Sequence, residues 1–173
     1  RRMLQVQQFS EIDQLEEVES VWSELLAETE GADFFRTLDW LKVYWKHFGA
    51  GQTLKVLLVS DGDQAVGIVP LVVSPRKTKL GQFRVLGFPL DFWGSFYGAI
   101  GPNPAAIWEA ALEHIMQEPS AWDYLDLRWF QLSTGESKVF EEAAAELGHS
   151  IEQQADDEIA IADLSAGWEA YWA

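Results

Sequence analysis

The stretch TLKVLLVSDGDQAVGIVPLVV, residues 53–73, sets two runs rich in Val, Leu and Ile on either side of Asp61-Gly62-Asp63. Branched apolar residues suit a pleated strand, and Asp-Gly supplies the backbone freedom of a tight reversal, so the stretch reads as a β-hairpin. Pro70 in the second run has no N–H to donate, which predicts an edge or a bulge at that point. Downstream, QFRVLGF (82–88) reads as a third strand of the same kind, and SFYGAI (95–100) is expected to continue it.

Upstream, Leu4 to Gln8 forms a short first strand. Ser10 and Asp13 then have the spacing of a capping box, opening a helix. Ile12, Leu15, Val18, Trp22, Leu25 and Leu26 recur at helical spacing up to Gly31. A second helix starts near Thr37, with Trp40, Leu41, Tyr44, Trp45 and Phe48 on one face and Gly49 to Gly51 as its stop. Beyond the hairpin, Asn103 before Pro104 is an N-cap with proline at the first helical position, and that helix runs to about Gln117. WDYLDLRWF (122–130) is a strand with Leu125, Leu127 and Trp129 on one face and Tyr124, Asp126 and Arg128 on the other. Ser133 and Glu136 form another capping box, for a helix ending at Gly148. Two short strands follow, Ser150 to Gln153 and Glu158 to Ala162. The order β-α-α-β-β-β-α-β-α-β-β belongs to the α/β (α+β) class, a mixed, mostly antiparallel sheet flanked by helices.

The 173 residues suit one domain with a real core, and 48% hydrophobic against 23% charged residues is a globular balance. With 28 acids against 12 bases the formal charge is −16, which disfavours nucleic acid and anionic membranes as partners. One basic run stands out, PRKTKLGQFR (75–84), with Arg76, Lys77, Lys79 and Arg84, read first as a solvated loop between strands. No cysteine is present, so disulfides, thiolate metal sites and cysteine nucleophiles are excluded; His47, His114 and His149 are scattered, and no metal is expected. No apolar run has the length of a membrane helix, and RRMLQVQQ at the start lacks the apolar core of a signal peptide, so a cytoplasmic location is expected.

LDFWGSFYGAIGPNP (90–104) packs three glycines, four aromatics and two prolines between a strand and a helix. Ser95 lacks the G-x-S-x-G frame of a nucleophile elbow. Asp91, Phe92, Trp93 and Tyr97 combine one charge with broad aromatic surface, as a cleft for a small polar ligand would. The other reading, that the rings are core and Asp91 caps a turn, stays open. Asp126 and Arg128 share a strand face and are expected to form an ion pair.

FFRTLDWLKVYWKHFG, LLVSDGDQAVGIVPLVV, FRVLGFPLDFWGSFYGAI and WDYLDLRWF, covering roughly residues 34 to 130 in this order, resemble the bacterial CelD-like (cellulose-biosynthesis-protein) acetyltransferases, related to FemAB-type aminoacyltransferases. The element order is similar to the wider GNAT N-acyltransferase fold. The resemblance implies transfer of an acyl group from acetyl-CoA or another acyl-CoA to an amine, amino-sugar or polysaccharide-precursor acceptor. It implies a chain of two GNAT-like halves, with the donor held mainly by the C-terminal half. Residues 1–164 would then be the N-terminal, acceptor-side half, and DLSAGWEAYWA (163–173), with a cap at Ser165 and apolar Trp168, Tyr171 and Trp172, would lead from residue 165 into the second half.

In GNAT folds a [QR]-x-x-G-x-[GA] turn binds the pyrophosphate of coenzyme A through backbone N–H groups. Gly98 and Gly101 stand at that place here, but their spacing departs from the pattern and Pro102 removes a donor. Amine acylation also needs a proton acceptor, commonly a carboxylate raised by burial, and no such carboxylate is visible in the sequence. Two other readings stand beside this one: a self-sufficient acetyltransferase with an unusual cofactor loop, and a non-catalytic domain docking a partner through exposed aromatics.

Overall fold

The computed structural model describes residues 4–90, 97–130, 132–154, 165 and 167. The expected hairpin forms at its centre. Strand β2 (Thr53–Asp61) pairs antiparallel with β3 (Gln64–Thr78) across the two-residue turn Gly62–Asp63, where Gly62 takes φ +61°. With β1 (Gln5–Phe9), β4 (Gly81–Gly87) and β5 (Tyr124–Leu125) they make a sheet in the order β1-β2-β3-β4-β5, antiparallel except for the β4–β5 pair. Four helices flank it: α1 (Glu19–Ala27), α2 (Leu38–Phe48), α3 (Pro104–Met116) and α4 (Thr134–Leu147). This is the mixed α/β class read from the sequence, in the expected order as far as α4.

Both faces of the sheet are covered, which explains why β2 and β3 read as nearly continuous apolar runs. Leu54, Val56 and Leu58 alternate toward α1 and α2, where they pack with Leu15, Trp22, Leu25, Leu41 and Tyr44. Leu57, Val59, Val69 and Leu71 point the other way, against Ile107, Trp108, Ala111 and Ile115 of α3. Each fully buried aliphatic side chain contributes roughly 1.5–3 kcal/mol, so these two layers supply the main stabilisation. Lys55 lies on the α3 face and is buried, held by Glu118 just beyond α3 at 2.5 Å.

Several expectations are corrected. Pro70 is neither at an edge nor at the bulge, which falls at Val59/Ser60; it sits in the central strand opposite Val56. Ile68 exchanges both backbone hydrogen bonds with Ile100, and the β3–β4 ladder begins only at Val72. Two residues on from Ile68, Pro70 addresses that same side, in the gap between the Ile100 bridge and the β4 ladder. Its missing N–H costs no ladder bond there.

The first capping box is built by Glu11 and Gln14, not by Ser10 and Asp13. Gln14 Oε1 accepts from the Glu11 N–H at 3.1 Å, and a 3₁₀ segment, Ile12–Val18, precedes α1. The stretch 122–130 contributes only Tyr124 and Leu125 to the sheet, because β4 ends at Gly87. Its later residues turn away through Trp129, whose φ is +55°. Of SFYGAI, Ser95 and Phe96 lie outside the described residues, and residues 97–100 supply single bridges at Tyr97 and Ile100 instead of a continued strand. Residues 150–153 are exposed coil with no ladder partner among the described residues, so that strand is absent; Glu158 to Ala162 lie outside the described residues.

The first helix stops at Ala27 with Glu28 as its C-cap, short of Gly31; the later caps hold as read. Thr37, Asn103 and Ser133 each accept a hydrogen bond from the backbone of the helix they open, and Gly148 closes α4 in the left-handed conformation.

Candidate functional site

The β4–β5 pair is parallel and is joined through α3, the crossover that parallel strands require. The ladder spans Val85↔Tyr124 and Leu86↔Leu125, and Asp126 N–H adds a bond to the Leu86 carbonyl at 2.9 Å. It then stops. Farther along, Tyr97 N–H donates to the Trp129 carbonyl at 2.9 Å, bridging toward Phe130. The carboxyl ends of adjacent parallel strands are where open α/β sheets leave room for ligands.

The connection from α1 to α2 meets the loop after β4 at Tyr97 and Gly98. Asp33 caps a 3₁₀ turn, Phe34–Arg36, by accepting from the Phe35 N–H at 3.0 Å. Thr37 then caps α2 through the Trp40 N–H. That placement aims the Trp40 indole at the loop after β4: Nε1 donates to the Tyr97 hydroxyl at 3.1 Å, and the hydroxyl donates to the Pro89 carbonyl at 3.4 Å. The Tyr97 ring stacks on Phe88, with centroids 5.4 Å apart.

Tyr97, expected at the cleft wall, is therefore buried with its hydroxyl engaged on both sides. Burial pushes its phenol up to about 12, and the charge of Asp33 acts in the same direction, against the Trp40 hydrogen bond.

Arg36 lies beneath Gly98. A side chain added at Gly98 would meet Phe130 at 3.5 Å and Arg36 Nη2 at 3.6 Å. Burial lowers the Arg36 guanidinium, while the negative charges of Asp33 and Glu136 oppose the shift. Glu136 is buried at the start of α4, where its Oε2 accepts from the Ser133 N–H at 3.0 Å. Segments distant in sequence thus converge on one point: the turn before α2, the loop after β4, the exit from β5 and the start of α4.

Asp33 is the residue that sequence reading missed. Burial raises its carboxyl above the ordinary value of 3.8, outweighing the Phe35 hydrogen bond and the Arg36 charge. The local signal was slight: an Asp two residues before Phe35 reads as a turn cap, and its partial burial appears only in the folded chain.

Gly101 is constrained by its own packing. Its φ is +136°, a Cβ there would lie 2.5 Å from the Val66 carbonyl oxygen, and its N–H donates to Thr29 Oγ1 at 2.8 Å. Glycine is required at this position by backbone conformation and close approach, and the amide is already committed. Asp91, Phe92 and Trp93 lie outside the described residues.

The basic run is the β3–β4 hairpin rather than a loop, and its arginines are engaged. Arg76 Nη1 reaches Tyr124 Oη at 2.9 Å and Asp126 Oδ2 at 3.0 Å, and Arg84 pairs with Asp123 at 2.8 Å. Asp126 also pairs with Arg128 at 3.0 Å, the ion pair read from the sequence. A separate hollow of about 460 Å³ is lined by Leu112, Met116, Trp122, Leu125, Phe140 and Leu147 between α3, α4 and β5. Asp33, Arg36 and Tyr97 take no part in it.

Among the described residues no group of three His, Asp or Glu side chains is placed to hold a metal, and no helix is long and apolar enough to cross a membrane. Trp22 and Trp108 are buried, and Trp40, Trp45, Trp122 and Trp129 are half-buried, so the described tryptophans offer no exposed docking stripe. Trp168 and Trp172 lie outside the described residues.

No protein-family model matches this chain, and no curated protein does. Solved structures are similar at low identity. A possible acetyltransferase from Clostridium difficile 630 shares 10% identity over 92% of this chain and 99% of its own, with a TM-score of 0.48. An aminoglycoside acetyltransferase from an uncultured soil metagenomic sample, in complex with sisomicin, shares 9% over 92% and 97%, with a TM-score of 0.48. An acetyltransferase from Trypanosoma brucei shares 18% over 90% and 99%, again with a TM-score of 0.48.

Proposed function

We propose that this chain is a GNAT-type N-acyltransferase domain of the CelD-like, FemAB-related kind, which presents an amine acceptor to an acyl-CoA thioester. The observation that carries the reading is the parallel β4–β5 pair, joined through α3, whose ladder stops after two residue pairs, with Phe35 and Trp40 at the opening of α2 meeting Tyr97 of the loop that follows β4. The four-stretch sequence resemblance adds independent support. In this reading the amine nitrogen attacks the thioester carbonyl directly, so the domain has to orient two substrates and accept a proton. In this reading Asp91, Phe92, Trp93 and Tyr97 belong to the acceptor cleft.

The acyl-CoA donor is held mainly by a second GNAT-like half, which makes this chain the acceptor-side half. Supporting that division, the Gly101 amide is committed to Thr29 and Pro102 carries no N–H, which leaves the loop before α3 short of phosphate donors.

Titrating the 173-residue chain with acetyl-CoA by calorimetry tests the division. Weak or unsaturable binding here, against tight binding by a longer product of the same gene, is expected. Tight saturable binding by this chain would overturn it. Acyl transfer itself is measured as thiol release from acetyl-CoA across a panel of amines, and an inactive longer chain would sink the acyltransferase reading.

A further inference from the structure

We infer that the β3–β4 hairpin of one copy of this chain docks into the hollow between α3, α4 and β5 of a second copy, placing Leu80 among its apolar walls. The hairpin is built as an arm. The β2–β3 ladder reaches only to Thr53↔Val73, so residues 74–78 run past β2 and pair with β4 alone. The base of the arm is braced by Arg76 on Asp126 at 3.0 Å and by Arg84 on Asp123 at 2.8 Å. At the tip, the Thr78 hydroxyl accepts from the Leu80 N–H at 3.1 Å and donates to the Gly81 carbonyl at 3.2 Å, which fixes the turn. Leu80 is 90% exposed there, the most open large apolar side chain among the described residues. Its own fold gives it no cover, and covering such a side chain elsewhere is worth roughly 1.5–3 kcal/mol.

The hollow is the matching surface. It holds about 460 Å³, and its apolar walls include Leu112, Met116, Phe140 and the exposed Leu147. Charge matches as well as shape. No acid stands between Asp63 and Asp91, and Lys77 and Lys79 flank the tip with no acidic partner among the described residues. Glu141 and Glu152 line the hollow, and neither pairs with a cation among the described residues. Asp123 both braces Arg84 and lines the hollow, so the base of the arm and the hollow adjoin each other. Two copies related by a two-fold axis then exchange arms, each filling the other's hollow, in a contact that closes on itself. At about 0.15 M salt the screening length is about 8 Å, so the overall negative charge of the two copies is largely screened while the lysine–glutamate contacts are not.

The test is sedimentation velocity of the 173-residue chain over a range of concentrations at that ionic strength. A monomer–dimer equilibrium is expected. Leu80→Ser changes an open side chain and is expected to weaken dimerisation about tenfold or more. Lys77→Glu with Lys79→Glu reverses the arm, and Glu141→Lys with Glu152→Lys reverses the rim. Each reversed chain is expected to be monomeric alone. Mixed, the two are expected to form a heterodimer, because every arm then faces a rim of opposite sign. A chain that stays monomeric up to about 1 mM overturns the proposal, whether its hollow is filled by its own residues 155–164 or stays open to a small apolar probe. Dimerisation indifferent to Leu80→Ser, or reversed chains that fail to associate on mixing, overturns it equally.

Discussion

The Trp40 indole N–H donates to the Tyr97 hydroxyl at 3.1 Å, tying the first turn of α2 to the loop that follows β4 across 57 residues of sequence. Replacing Tyr97 by Phe leaves the Trp40 donor and the Pro89 carbonyl without this partner. The expected cost is about 1–3 kcal/mol in urea denaturation, the penalty of unsatisfied buried polar groups. The pH dependence has a definite sign. Because the folded phenol is raised from 10.0 to about 12, its contribution is fully present below 10.0 and is lost as pH rises through about 12. The wild-type chain should lose stability across that window more steeply than Tyr97→Phe, and equal slopes would count against the buried hydroxyl.

Lys55 and Glu118 give the opposite sign at acid pH. The Lys55 ammonium holds the Glu118 carboxyl below its ordinary value of 4.5, so the pair contributes above that pH and loses its contribution as pH falls through the depressed value. Glu118→Gln should therefore cost about 1–2 kcal/mol near neutrality, where it strands a buried ammonium, discounted because Glu118 is itself half exposed. The gap between variant and wild type should close on acidification below 4.5, as followed by thermal melts across pH. A gap independent of pH would reject the ion pair as its source.

Gly101 and Gly31 separate backbone conformation from crowding. Gly31 has φ +65° and open space around it, so Gly31→Ala should cost only about 1 kcal/mol. Gly101→Ala adds a collision with the Val66 carbonyl and with Ile107 of α3 to an unfavourable φ, and about 3 kcal/mol or more is expected. Similar losses in the two variants would show that the close approach is not rigid.

Ser133→Ala removes the hydroxyl that accepts from the Glu136 N–H at 3.2 Å and should cost about 1 kcal/mol. Because the same box holds the buried Glu136, whose charge acts on Arg36, Ser133→Ala should also disturb the Arg36 guanidinium signals in ¹⁵N spectra. A stability loss with those signals unmoved would confine Ser133 to capping.

The sequence by itself determined the elements governed by neighbours a few residues away. Thr37, Asn103 and Ser133 were legible as caps because a side chain reaches only two or three residues along its own helix. Gly62 was legible because a two-residue turn needs a positive φ between two strands already marked by their apolar runs. What tertiary structure decided involves partners that no local pattern names. Pro70 is harmless in a central strand only because Ile100 and β4 leave a gap beside it, and which segments flank a strand is settled by the sheet's order. Gly101 is committed by a hydroxyl 72 residues away, and the Tyr97 hydroxyl is engaged by Trp40, 57 residues away. Short-range hydrogen bonds are written in adjacent residues. Burial and charge at a site depend on chain segments that meet only after the core has closed.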